Sequence, residues 1–120
     1  MKREAPIRLA AIDTFAMEVA IDRPVRNSFR TLTSRSALVV RVTDTEGATG
    51  WGEVWCNFPP NAAAYRANLI RNVAAPIILG REFDAPDQVF RTLERQLRVP
   101  AITSGEPGPF SQITAGIDVA

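Results

Sequence analysis

The residues of this chain whose types and spacing could do chemistry fall in two short stretches. In the first, Arg23, Arg26, Arg30 and Arg35 crowd around Phe29. Planar guanidinium forks meet a carboxylate through paired N–H donors, so such a cluster can attract and grip an anion. It can equally be a solvated loop kept soluble by its charge. The second stretch reads Trp55-Cys56-Asn57-Phe58 and is stiffened by Pro59-Pro60. Phe29 and Phe58 are single aromatics, one in each stretch. They either wall water away from a bound molecule, which strengthens electrostatics in a closed site, or pack against the chain's own sheet.

Other chemistries are excluded or weak. The chain has no histidine and one cysteine. It therefore holds no Ser-His-Asp or Cys-His catalytic set, none of the common zinc sites and no internal disulfide. Nothing beside Cys56 in the sequence would lower its pKa, and it reads as a small unreactive residue near the pocket. Glu53 lacks a partner carboxylate at a useful spacing. It reads as a charge ending an edge strand, or as an interdomain hydrogen bond. Trp51 reads as core, whereas Trp55, at a strand exit, is open between packing and ligand contact. Gly47, Gly50 and Gly52 have the wrong spacing for a dinucleotide loop, and a strand follows their turn where a helix is required.

Size and charge narrow the classes further. At 120 residues and 46% apolar content the chain is one ordinary globular domain, able to bury somewhat more than ~60% of its unfolded surface. A formal net charge of +1 supplies no field drawing it to nucleic acid or anionic lipid. The longest apolar run, Ala74 to Leu79, is short and holds Pro76, so no membrane partner is expected. MKREAPIRLAAID has no apolar stretch long enough for a signal peptide, and a cytoplasmic location is expected.

A mixed framework must position the two stretches. Residues 7 to 22 alternate as a long first strand, with Phe15, Met17, Val19 and Ile21 on one face. The phase reverses at Ile12 and Asp13, which requires a bulge or bend near Ala10 to Asp13. Pro24 ends this strand, and Arg23 to Arg35 has no period, so a long mobile loop is expected there. Ser36 to Asp44 is the second strand, Asp44 to Gly47 a turn, and Ala48 to Trp55 the third strand. Gly50 and Gly52 share one face of it, which lets a helix or another backbone approach, while the indoles cover the other. Asn61 caps a helix to about Ala75 with the stripe Ala62, Tyr65, Leu69 and Val73. Pro76 breaks or kinks that helix, and Gly80 ends the turn after it. Asp84 caps a second helix that buries Val89, Phe90, Leu93 and Leu97. Pro100 to Pro109 reads as irregular. A last helix starts at Phe110 and still runs at Ala120. The expected fold class is α+β: a three-stranded antiparallel sheet, a long strand plus a hairpin, followed by a small helical bundle.

Taken in order, the long strand, the polar loop, the hairpin ending Gly50-Trp51-Gly52-Glu53, the aromatic loop, Pro76 to Gly80 (PIILG) and Ala115 to Ala120 (AGIDVA) carry a resemblance. The chain resembles the N-terminal capping domain of the mandelate racemase/muconate lactonizing enzyme group in the enolase superfamily, over essentially its whole length. The resemblance implies residues 1–109 as an enolase-type N-terminal cap and 110–120 as the start of the helix leading into a C-terminal barrel absent from this chain. It implies Mg²⁺ held on acidic residues of that barrel, and a lysine or histidine that abstracts a proton alpha to a carboxylate. Such enzymes racemise, epimerise, cycloisomerise or dehydrate, and they usually form homo-oligomers.

The cap is expected to lend two loops that close over the substrate and set its identity. Matched by position, the first falls within Arg23 to Arg35 and the second within Trp55 to Pro60. The substrate-capping candidates are therefore Arg26, Phe29, Arg30, Trp55, Cys56, Asn57 and Phe58, facing a carboxylate such as a hydroxy acid or sugar acid. No catalytic or metal-ligating residue of the family has a counterpart here, so this chain alone is expected to be inactive. Asp118 lies on a helix and not at a strand end, which makes it a junction or capping contact. Two other readings remain: a small non-enzymatic binding module, and an assembly role through the apolar face that a bare cap would expose.

Overall fold

The computed structural model describes residues 5–120. Its sheet has four antiparallel strands in the order β3-β2-β1-β4. The first strand, β1 (Ile7–Arg26), carries the expected phase reversal as a register shift between Leu9 and Ala11. The long loop expected over Arg23 to Arg35 is instead the far end of a hairpin. β1 runs on to Arg26, β2 (Thr31–Asp44) begins early, and only residues 27–30 lie between them. Val25 pairs with Leu32 and Arg26 with Thr31, beyond a second register shift between Ala20 and Val25. Pro24 falls in that unpaired gap, where its missing N–H removes no ladder bond. This is why the proline does not end the strand.

At the other end of β2 the Asp44 carboxylate builds the turn. Its Oδ1 accepts the backbone N–H groups of Glu46 and Ala48 at 2.9 and 2.8 Å. Gly47 takes φ 89°, a left-handed conformation that glycine adopts without steric cost. β3 (Thr49–Val54) then returns along the edge of the sheet.

The inner sheet face supplies Leu38, Val40, Val42 and Val54 to the core. The last helix, α4 (Pro107–Val119), lies directly on β3. A Cβ added at Gly52 would stand 2.0 Å from the Gly116 carbonyl oxygen, and one at Gly116 would stand 2.4 Å from the Val54 side chain. The glycine face of β3 is thus a seat for a helix, as its alternation requires. On the opposite face lie Phe15, Met17, Val19 and Trp51, all partly exposed. Trp51 is 54% exposed and not core. Its ring meets Phe15 at a centroid distance of 5.8 Å, and the Arg41 guanidinium lies 5.5 Å from both rings while pairing with Asp13.

Three further helical segments complete the layer. α1 (Ala62–Leu69) passes through a π-helical turn at Ile70–Ala74 into α2 (Ala75–Ile78), with Pro76 in the first turn of α2. The wider i→i+5 bonding of the π turn shifts the hydrogen-bond register just before a residue that has no N–H to give. The helix therefore changes register where a break or kink was expected. Its buried stripe is Ala62, Ala63, Arg66, Ala67, Leu69, Ile70 and Ala74. Tyr65 is displaced from the expected stripe and reaches the Glu106 carboxylate with its hydroxyl. Asn61 precedes α1 at φ 66° and makes no side-chain cap.

Between α2 and the next helix, Glu82–Phe83 form β4, which pairs with β1. This fourth strand is too short to show any period in the sequence. α3 (Pro86–Thr103) begins after Ala85; Asp84 offers no side-chain cap and donates its own N–H to Gln88 Oε1. Val89, Leu93 and Leu97 are buried, as their spacing requires, whereas Phe90, expected with them, is only half-buried. α3 continues through Pro100, and α4 starts at Pro107, so the irregular stretch expected there shrinks to residues 104–106.

Candidate substrate-capping site

The two chemistry-bearing stretches, far apart in sequence, meet beside one end of the sheet. The β1–β2 tip is organised by Asn27. Its Oδ1 accepts the N–H groups of Phe29 and Arg30 at 2.9 and 2.8 Å, and its own N–H donates to the Arg30 carbonyl at 3.0 Å. Asparagine suits such a turn because its side chain substitutes for a backbone acceptor. The result leaves Phe29 88% exposed at the tip. Arg30 turns back toward the second stretch. Its Nη2 donates to the Asn57 carbonyl at 2.9 Å, and its guanidinium lies 5.4 Å from the centre of the Phe58 ring.

The second stretch leaves β3 with its alternation intact. Val54 and Cys56 point inward, while Trp55 and Asn57 are exposed. The Phe58–Pro59 bond is cis, and the Pro59 carbonyl accepts the Ala62 N–H at 3.1 Å, leading directly into α1. Trp55 rests against Arg66, whose guanidinium is 5.8 Å from the ring centre. Arg66 is only 3% exposed. Its Nε donates to Gln112 Oε1 at 2.8 Å and its Nη1 to the Ala62 carbonyl at 3.3 Å. No carboxylate among the described residues pairs with it. Arg66 is absent from the sequence candidates, although an arginine among the alanines of an apolar helix face was a visible signal. Burial pushes the Cys56 thiol above its ordinary 9.0 and Glu53 adds to this, against the opposing pull of Arg66 and a backbone hydrogen bond from Leu38.

A polar cleft of about 140 Å³ lies between the hairpin and the second stretch, with Glu18, Arg30, Ser34, Asn57 and Asn61 in its walls. Of the sequence candidates, the structure brings Arg30, Asn57 and Phe58 together and keeps Phe29 on the same tip. Trp55 stands beside this group on Arg66, and Cys56 faces the core. Arg26 is paired into the hairpin opposite Thr31 and is exposed, as are Arg23 and Arg35. Glu53 is exposed on edge strand β3 and Asp118 is exposed on α4. Among the described residues no three acidic, thiol or imidazole groups converge, so these residues do not fit a Mg²⁺ site. Among them, too, no helix is long and apolar enough to cross a membrane.

The sequence and the fold have counterparts. Residues 11–120 match the family described as mandelate racemase / muconate lactonizing enzyme, N-terminal domain. The o-succinylbenzoate synthase of Bacillus subtilis is 31% identical over 93 residues, covering 74% of this chain and 25% of that protein. The L-Ala-D/L-Glu epimerase of the same organism is 24% identical over 97 residues, covering 76% and 25%. A crystal structure of a mandelate racemase/muconate lactonizing enzyme from Bordetella bronchiseptica RB50 superposes with a TM-score of 0.81 at 40% identity, over 95% of this chain and 28% of that one. The chain thus spans about a quarter of the length of the curated relatives it matches. With the match running through the hairpin, both candidate stretches and α4, this chain belongs to the N-terminal domain family of the mandelate racemase/muconate lactonizing enzymes, in the enolase superfamily.

Proposed function

We propose that this chain is the substrate-capping and specificity domain of a longer, Mg²⁺-dependent enzyme that abstracts a proton alpha to a carboxylate. The observation that carries this reading is the meeting of the hairpin tip with the Trp55–Pro60 stretch through Arg30 and the Asn57 carbonyl. Two segments distant in sequence present Phe29, Phe58 and Trp55 at one end of the molecule, all substantially exposed. Exposed aromatic rings on a fixed tip suit the closing of a site against water, which strengthens the electrostatics beneath them. Mg²⁺, the acid and base groups and the substrate carboxylate contacts belong to a partner barrel domain outside these residues. The reaction is an isomerisation or a lyase step, and the assembled enzyme is a homo-oligomer.

The test is deuterium incorporation at the alpha carbon, followed by NMR with Mg²⁺ across a panel of hydroxy acids, sugar acids and N-acyl or dipeptide amino acids. The full-length protein is expected to exchange one class, and the 120-residue chain alone none. Replacing residues 27–30 and 55–60 by those of a relative is expected to shift the class exchanged. Exchange by the short chain, or a class unmoved by the replacement, would overturn the reading.

A further inference from the structure

The geometry points to Arg30 as a positioning residue that latches the second capping stretch to the hairpin tip, so that the two move as one body. This rests on the capping reading only for its consequence in catalysis; the latch itself stands on contacts within this chain. Arg30 is held at both ends. Its backbone N–H and carbonyl are fixed by the Asn27 side chain and N–H, which aims the side chain. At the far end its Nη2 reaches the Asn57 carbonyl at 2.9 Å, and the guanidinium stacks 5.4 Å from the Phe58 ring centre.

A charge-assisted bond to a carbonyl and a stack on an aromatic face both favour arginine over lysine, because the planar group does both at once. The remaining tip arginines make neither contact among the described residues, and Phe29 has no ring or cation stacked on it there.

The other side of the same stretch is anchored differently. Trp55 lies on Arg66, which is almost fully buried and bound to α1 and α4. Residues 55–60 are therefore gripped between an arginine of the body and an arginine of the tip. The body grip is buried, with Arg66 only 3% exposed, whereas the tip grip lies at the surface. On this view Arg30 is committed to the Asn57 carbonyl and the Phe58 ring, and is not a substrate ligand.

Amide hydrogen exchange by mass spectrometry on the full-length protein, without substrate, tests the latch. In Arg30→Ala, peptides covering residues 27–31 and peptides covering 55–62 are both expected to exchange about three- to tenfold faster, the loss of one charge-assisted bond and one cation–π contact. Arg30→Lys is expected to restore part of the protection, because it keeps a charged donor. Asn27→Ala gives the sharper reading. Among the described residues Asn27 makes hydrogen bonds with Phe29 and Arg30 and none with residues 55–60. Loosening of 55–62 in that variant is expected if Arg30 transmits the order of the tip. Protection of 55–62 unchanged in both Arg30→Ala and Asn27→Ala would overturn the latch. Because this readout involves no turnover, it fails independently of the proton-exchange test of the capping reading.

Discussion

The seam between β3 and α4 and the tip beyond it are built on opposite terms. At the seam the backbone of Gly52 lies against the backbone of Gly116, with no room for a single extra carbon. At the tip Phe29 is almost fully exposed, and the hairpin is tied to its neighbour chiefly by the side chain of Arg30. The seam fixes where the helices sit and tolerates little; the tip holds its shape through a few polar contacts and leaves its apolar surface unspent. The capping role proposed above would draw on both: a rigid base, and an end whose surface is kept for a partner.

The largest effect is expected at the seam. Gly116→Val forces a branched side chain into space held by Val54 and by the Glu53 backbone. Overpacking of this kind costs about 3 kcal/mol or more where backbone is the obstacle, and the urea midpoint should fall accordingly. The matched control is Gly108→Ala in the first turn of the same helix, where an added Cβ meets nothing within 4 Å. There the expected change is small, within about 1 kcal/mol, because alanine's helix propensity is opposed by Pro109, which disfavours a Cβ on the helical residue before it. Equal losses in the two variants would show that the seam is not a close contact.

Next comes Arg66, which joins the two regions. It binds Gln112 on α4 and supports Trp55 at the start of the second stretch. Arg66→Ala removes both a buried stem and its hydrogen bonds, at an expected cost of about 2 kcal/mol. It should also raise acrylamide quenching of Trp55, measured in a Trp51→Phe background. A loss of stability with Trp55 quenching unchanged would confine Arg66 to the base.

How much of this was legible in the sequence follows the same division. The seam could be read, because Gly50 and Gly52 alternate with Trp51 and Glu53, and period-two glycine has one good explanation. The helix stripe Val89, Leu93 and Leu97 could be read for the same reason. The tip could not: the hairpin beyond Ala20 buries no side chain fully, with Ile21 and Leu32 only half-buried, so neither face shows the apolar alternation that marks a strand, and Pro24 sits in a gap in the pairing that only the partner strand reveals. Arg26, Phe29 and Arg30 enter as candidates through position in the family, but the commitment of Arg30 to Asn57 depends on the Asn27 turn. Trp51 was misplaced because an indole on an edge strand can be satisfied by Phe15 and Arg41 outside the core. Arg66 stands out as an arginine among alanines, but its partners, Gln112 and the Trp55 ring, are brought to it only by the fold.

A smaller effect separates base from tip by pH. The Cys56 thiol faces the core, and burial raises its pKa above the ordinary 9.0. A group whose folded pKa is raised contributes stability that is complete below its unfolded pKa and is lost as pH climbs through the folded value. The stability difference between wild type and Cys56→Ala should therefore be constant at neutral pH and move against wild type as the pH climbs above the ordinary thiol range. Native Cys56 should also react with a disulfide probe more slowly than free cysteine across that range. Fast labelling at neutral pH would mean that the second stretch opens deeply enough to bare its inner face.

The smallest expected stability change is the most informative about the tip. Phe29 is 88% exposed and stacks on nothing among the described residues. Phe29→Ala removes a ring that the folded domain does not use, so its unfolding midpoint should stay within about 0.5 kcal/mol of wild type. The fold itself gives no use to a bare phenylalanine on a turn, and such a residue raises the risk of aggregation. If the ring serves to close a site, the same variant should slow alpha-proton exchange in the full-length protein while leaving Arg30 and residues 55–62 as protected as before. A loss of stability comparable to Arg66→Ala would instead place Phe29 against the body of the protein, and the distinction between a committed base and a reserved tip would fail at the residue where it is sharpest.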